Sequence, residues 1–202
     1  LGAWHHLTIP AERLTPELFE EGLGFDGSAF PGWQPIHASD MQLRPDPATA
    51  RQEPFTAYPT VSFLCNIHDP ITGQPYSRDP RYITQKAHQY LLQTGIADEV
   101  FFGPEAEFFL FDEVRYELNA HSSRYKVDSI EGAWNRGRRE QPNLGYKIGH
   151  KKGYAPVPPI DHQTDLRSEM AVLLQDLDIS VDVHHHEVAS GGQAEIGLRF
   201  NS

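Results

Sequence analysis

The run Gly103-Pro104-Glu105-Ala106-Glu107-Phe108-Phe109-Leu110-Phe111 constrains this chain more than any other feature. Two glutamates two residues apart stand inside an apolar segment of strand-forming residues, and on a strand positions i and i+2 share a face. Glu105 and Glu107 therefore project together, with Phe102, Ala106 and Phe108 expected to pack behind them. Carboxylates held side by side in apolar surroundings are costly unless a cation lies between them. An isolated Glu-x-Glu more often faces solvent; its setting between Gly103-Pro104 and four apolar residues argues here for a metal.

A second acidic cluster lies near the other end, in His184-His185-His186-Glu187-Val188-Ala189-Ser190-Gly191-Gly192-Gln193-Ala194-Glu195. If the chain reverses through a three-residue loop, Ser190-Gly191-Gly192, Glu187 pairs directly with Glu195. Cross-strand partners have Cβ atoms about 4.5–5.5 Å apart, close enough for two carboxylates to share one cation. The four glutamates are thus expected to form one acidic floor. Alternation places His185 on the face of Glu187, where it would contact substrate or a phosphate. His184 and His186 would fall on the other face as packed, hydrogen-bonded residues. No HExxH or Cys/His spacing accompanies the histidines, which leaves zinc a minor reading.

Oxygen-only ligand sets suit Mg²⁺ or Mn²⁺ with positions left open for phosphate oxygens, and this points to phosphoryl transfer. No GxxxxGK[ST] motif occurs, so a site for ATP would have to be of another kind. A formal net charge of -11 argues against a nucleic-acid or anionic-membrane partner. The single Cys65 excludes an intrachain disulfide, and there is neither a signal peptide nor an apolar run of transmembrane length; a cytoplasmic location is expected.

Two regions are expected. In residues 1–73, Thr15 and Pro16 open a short helix that Gly22 ends, and Val61 to Ile67 reads as a strand among scattered prolines. In residues 79–202, Asp79 and Pro80 start a helix with Ile83, Ala87, Tyr90 and Leu91 on one face and Gly95 as its stop. A strand from Val100 to Phe111 follows, then an irregular stretch from Asn119 to His162. A helix from Asp165 to about Leu177, with Leu166, Met170, Leu173 and Leu177 inward, leads to a strand from Ile179 to Glu187. The mixture is α+β.

Six segments, in order, resemble type I (bacterial) glutamine synthetase: Gly24-Phe25-Asp26-Gly27-Ser28, Ser39-Asp40-Met41, Tyr76-Ser77-Arg78-Asp79-Pro80-Arg81, Gly103 to Phe108, Gly153-Tyr154-Ala155-Pro156-Val157-Pro158-Pro159 and His185-His186-Glu187-Val188-Ala189. The resemblance runs along the whole chain. It implies a small β-grasp domain followed by the first half of an α/β catalytic domain, the chain stopping at Ser202 with roughly as many residues again to follow in the family. Ligation of ammonia to L-glutamate with ATP, by way of a γ-glutamyl phosphate, is the implied reaction, carried out in two stacked hexameric rings with active sites between neighbouring subunits.

Residue by residue, the resemblance implies that Glu107, Glu187 and Glu195 hold one divalent ion and that Glu105 contributes to a second. Glu107 and His185 would contact substrate. Asp182, in a place where the family usually has glutamate, and Leu198 and Phe200 would line the nucleotide pocket. Asp26, with Ser28, would reach the neighbouring subunit's site, Asp26 accepting a proton from ammonium. The remaining histidine ligand and the arginines that bind glutamate and phosphate would lie beyond Ser202, so residues 1–202 alone are expected to be inactive and prone to aggregate. The alternatives are a γ-glutamyl ligase for another amine or a polyamine, a non-catalytic structural relative, and a metal-dependent hydrolase needing no ATP.

Overall fold

The computed structural model describes residues 3–135 and 145–201. The chain divides into two compact units, Leu1–Glu99 and Val100–Ser202. Within the first, the helix α1 (Pro16–Glu21) precedes the strands β1 (Leu23–Asp26), β2 (Asp40–Pro45), β3 (Arg51–Gln52), β4 (Val61–Ser62) and β5 (Cys65–His68), and α2 (Pro80–Thr94) closes the unit. An antiparallel sheet in the order β1-β2-β5 forms its centre, with Phe25 opposite Met41 and Leu43 opposite Ile67. Met41 and Ile67 are its buried apolar residues. The expected strand Val61–Ile67 is broken in two, because Phe63 and Leu64 carry the chain from a short β3–β4 ladder to the edge of the main sheet.

By its contacts the helix α2 groups with this first unit. Its start is tied to β5 by one carboxylate: Asp79 accepts the Arg81 N–H at 3.0 Å as a cap and the Ile67 N–H at 3.1 Å. Gly95, in the left-handed conformation at φ 66°, ends it. The face expected to be inward is not covered in this chain, since Ile83 and Tyr90 are exposed and only Leu91 is half-buried.

The second unit is built on an antiparallel sheet in the order β6 (Glu105–Phe109), β10 (Gln193–Leu198), β9 (Val181–His186). A separate ribbon pairs β7 (Glu113–Leu118), just before the stretch that reads in the sequence as irregular, with β8 (Ser123–Asp128) inside it. The signal was present in the sequence: Glu113–Leu118 alternates charged with apolar or aromatic residues, so Glu117 pairs with Arg124 on a charged face while Val114, Tyr116, Tyr125 and Val127 share the other. The rest of that stretch, where described, is a series of turns.

The helix α3 (Thr164–Asp176) packs on β9 and β10. Its buried residues are Arg167 and Ala171, while Leu166, expected inward, is exposed. Ala194 and Ile196, both buried, face it from the central strand. Among the described residues no helix is long and apolar enough to cross a membrane.

Candidate metal and substrate site

Period-two alternation gives the three-stranded sheet two chemically distinct faces. One carries Glu105 and Glu107 on β6, Gln193 and Glu195 on β10 and His185 on β9, with Glu187 just past the strand end. The other, under α3, carries His184, His186, Ala194 and Ile196.

The register across these strands corrects one expectation. Glu195 stands opposite His185 on one side and Glu107 on the other. Glu187 is bonded to Gln193 instead, its N–H donating to the Gln193 carbonyl at 2.9 Å. The turn is therefore the five-residue loop Val188–Gly192, two residues out of step with the three-residue loop expected. Backbone packing causes the shift. A side chain at Gly191 would strike the backbone of Glu131 and Gly132, and Gly192 has φ 89° with the Leu110 carbonyl where a Cβ would stand. The glycines thus serve a close approach to neighbouring segments and not the minimal hairpin turn.

The shifted register still gathers the acidic groups. Ligand atoms of His185, Glu187 and Glu195 lie within 4.8 Å of one another. His185 Nδ1 is 3.7 Å from Glu187, and its Nε2 is 3.9 Å from Glu195. The Tyr154 ring meets the imidazole edge-on at a centroid distance of 5.2 Å. Burial raises the Glu195 carboxyl above the usual range, and the charges of Glu105, Glu187 and Glu107 raise it further, while His185 opposes them. Negative charge is in excess on this face. That excess, with oxygen donors in the majority, is the chemistry of a hard divalent-cation site, and the residues present fit one.

Glu105 and Glu107 depart from expectation in one respect. Both are exposed, as is Ala106, and Phe102 is 65 % exposed, because among the described strands β6 is at the edge of its sheet.

The face under α3 is held by ions of another kind. Arg167 makes a bidentate pair with Asp161, Nη1 to Oδ1 at 3.0 Å, and both side chains are almost fully buried. Burial alone would raise the Asp161 carboxyl, but the guanidinium, the Thr164 hydroxyl and the Gln163 N–H together hold it below its ordinary value. Glu131, fully buried, accepts the N–H groups of His162 at 2.6 Å and Gly192 at 2.9 Å and lies 3.2 Å from His186 Nε2. The other ring nitrogen of His186 meets the carbonyls of Gly153 at 2.7 Å and Glu187 at 2.8 Å. Both nitrogens face acceptors only, which the imidazolium alone satisfies. Burial pulls the His186 pKa down and Glu131 more than restores it, to a net rise. His184 goes the other way: burial lowers its pKa, helped by Arg167, and its Nδ1 has no hydrogen-bond partner.

The remaining expected residues lie apart from this cluster. Asp182 is the extra residue of a bulge, since Gly197 pairs with Val183 but Leu198 with Val181, and it is exposed. Leu198 is half-buried at the end of β10, and the exposed Phe200 ring packs over Gly103. Asp26 and Ser28 belong to the first unit. There Asp26 ends β1 and its carboxylate accepts the Ser28 hydroxyl at 2.6 Å and the Ser28 N–H at 2.8 Å, which lowers its pKa. Contacts of Phe25 with Phe30, Phe30 with Trp33 and Trp33 with Tyr76 support the loop that follows.

Sequence reasoning missed Gln193, Glu131 and Tyr154. The signal for Gln193 was present, because alternation from Glu195 puts it on the same face. Glu131 lies outside any periodic segment and gave none.

Two family models match the chain: "Glutamine synthetase, beta-Grasp domain" over residues 1–70 and "Glutamine synthetase, catalytic domain" over residues 77–202. The chain belongs to the glutamine synthetase family. It is 54 % identical to a glutamine synthetase of Aquifex aeolicus, covering 100 % of this chain and 42 % of that one. With a glutamine synthetase of Frankia alni it shares 52 % identity, over 100 % and 43 %. A cryo-EM structure of Plasmodium falciparum glutamine synthetase superposes with a TM-score of 0.83 at 28 % identity, covering 96 % of this chain and 38 % of that one. The fold class is accordingly a β-grasp domain followed by part of the catalytic domain, and the chain spans less than half the length of the relatives it matches.

Proposed function

We propose that the protein carrying this chain joins ammonia to the γ-carboxylate of L-glutamate at the expense of ATP, giving glutamine, ADP and phosphate. The observation that supports this most is the convergence of His185, Glu187 and Glu195 within 4.8 Å, with Glu107 directly across the strand from Glu195.

Glu107, Glu187 and Glu195 would hold one Mg²⁺ or Mn²⁺, and Glu105 would contribute to a second. Such ions offset the repulsion between a carboxylate nucleophile and a triphosphate. A glutamate carboxylate oxygen attacks the γ-phosphorus as the bond to ADP breaks; ammonia then attacks the acyl carbon and phosphate leaves. His185, which the Tyr154 ring meets edge-on, would donate an N–H to substrate or phosphate. Asp26, kept ionised by the Ser28 hydroxyl and N–H, would hold ammonium and take its proton from a neighbouring copy of the chain in a homo-oligomer. Asp182, Leu198 and Phe200 are assigned to the nucleotide side.

Glutamine formation from ATP, Mg²⁺ or Mn²⁺ and ammonium, measured in the full-length protein, tests this reading. Glu187→Gln should abolish turnover through loss of metal, and Asp26→Asn should reduce ammonium use with metal binding intact. ATP consumption only with another amine would keep the scaffold and change the substrate; turnover without ATP would overturn the reading.

A further inference from the structure

Gln193 is 7 % exposed and lies within the acidic face, yet it is neither a carboxylate nor an imidazole. Its amide spans two structural elements. The Nε2 group donates to Glu107 Oε2 on β6 at 2.8 Å, and Oε1 accepts the Ala189 N–H of the hairpin loop at 2.7 Å. Its own carbonyl receives the Glu187 N–H at 2.9 Å. One residue therefore joins the strand of Glu107 to the loop that carries Glu187, and its side chain lies two residues from Glu195 on the same face.

The bond to Glu107 is directional. A primary amide whose oxygen is already committed to a backbone N–H can turn only its NH₂ toward Glu107, so it can donate and not accept. Glu107 sits on an exposed edge strand, with little else to fix its rotamer, and the other carboxylates repel it. We propose that Gln193 is a positioning residue for the cation site: by holding Oε2 of Glu107 it fixes that carboxylate toward Glu195 and leaves Oε1 free for the ion. This rests on the divalent-metal reading above. Groups that orient a ligand in this way typically change metal affinity 10–100-fold when removed.

Titration of the full-length, metal-free protein with Mn²⁺ alone, followed by the electron paramagnetic resonance signal of free Mn²⁺, tests the proposal without turnover. Two variants are compared. Gln193→Met keeps the volume and loses both bonds; Gln193→Asn keeps a neutral amide but is one methylene too short to span Glu107 and the Ala189 N–H together. The metal-free melting temperature of each is measured alongside. The expected result is Mn²⁺ binding weakened about tenfold or more in both, by more than any fall in metal-free melting temperature accounts for. If Gln193→Met does not fold, Gln193→Asn decides. Affinity within about twofold of wild type in a folded variant overturns the proposal, as does a loss that merely tracks a fall in melting temperature, which would make Gln193 a loop brace only. Absence of Mn²⁺ binding by wild type would overturn the metal reading as well.

Discussion

The two faces of the β6-β10-β9 sheet treat charge in opposite ways. Under α3, every buried carboxylate has its cation: Asp161 has Arg167, and Glu131 has His186. On the other face, Glu105, Glu107, Glu187 and Glu195 gather around one cationic partner among the described residues, His185, which lies within ion-pair distance of Glu187 and Glu195, and the Glu195 pKa is raised. The first arrangement secures the positions of the turns around residues 131, 153, 161 and 192; the second stores a charge imbalance that a divalent cation would relieve. This contrast between the two faces is what the proposed cation site would require.

The largest effect should come from breaking the paired face. Arg167→Met removes the guanidinium and leaves the Asp161 carboxylate buried, which costs about 3–5 kcal/mol; urea unfolding should show this, and a loss under 1 kcal/mol would mean that the pair is dispensable. The pH dependence follows the same bond. Asp161 has a folded pKa below its ordinary value of 3.8, so its contribution is present above that value and lost as pH falls through the folded pKa. Acid unfolding of wild type should show this loss below about pH 4, and Arg167→Met should lack it.

Glu195→Gln probes the unpaired face. A carboxyl whose folded pKa is raised contributes less stability as pH rises through its titration, so neutralising it should raise the metal-free melting temperature at pH 7 while Mn²⁺ affinity falls at least tenfold. A metal-free protein destabilised by this change would place Glu195 with the structural charges. The smallest effect belongs to neither face: Arg124→Ala removes the exposed pair with Glu117 on the β7–β8 ribbon, and denaturant unfolding should change by less than about 0.5 kcal/mol.

How much of this was legible depended on range. Helix ends marked by Asp79, Pro80 and Gly95 could be read because capping is local. The acidic face could be read because alternation on Glu105, Glu107, His185 and Glu187 needs no knowledge of neighbours. Register was not legible: Gly191 and Gly192 resemble a minimal turn, and only the approach of Glu131, Gly132 and Leu110 shows why the loop is longer. Burial was misjudged for the same reason, since Glu105 and Glu107 stand in an apolar run that proves to be an edge strand. Glu131 meets His186 from far away in sequence, and Asp161, although only six residues before Arg167, lies with Glu131 in turns that carry no period.

The most direct measurement is the melting temperature of wild type and Glu195→Gln, each with and without saturating Mn²⁺. If the acidic face is a divalent-cation site, Mn²⁺ at about 100 times the wild-type dissociation constant should stabilise wild type by about 2.7 kcal/mol and the variant by no more than about 1.4 kcal/mol, with the variant melting higher in the absence of metal. Equal stabilisation of both proteins by Mn²⁺, or none of either, would contradict the account.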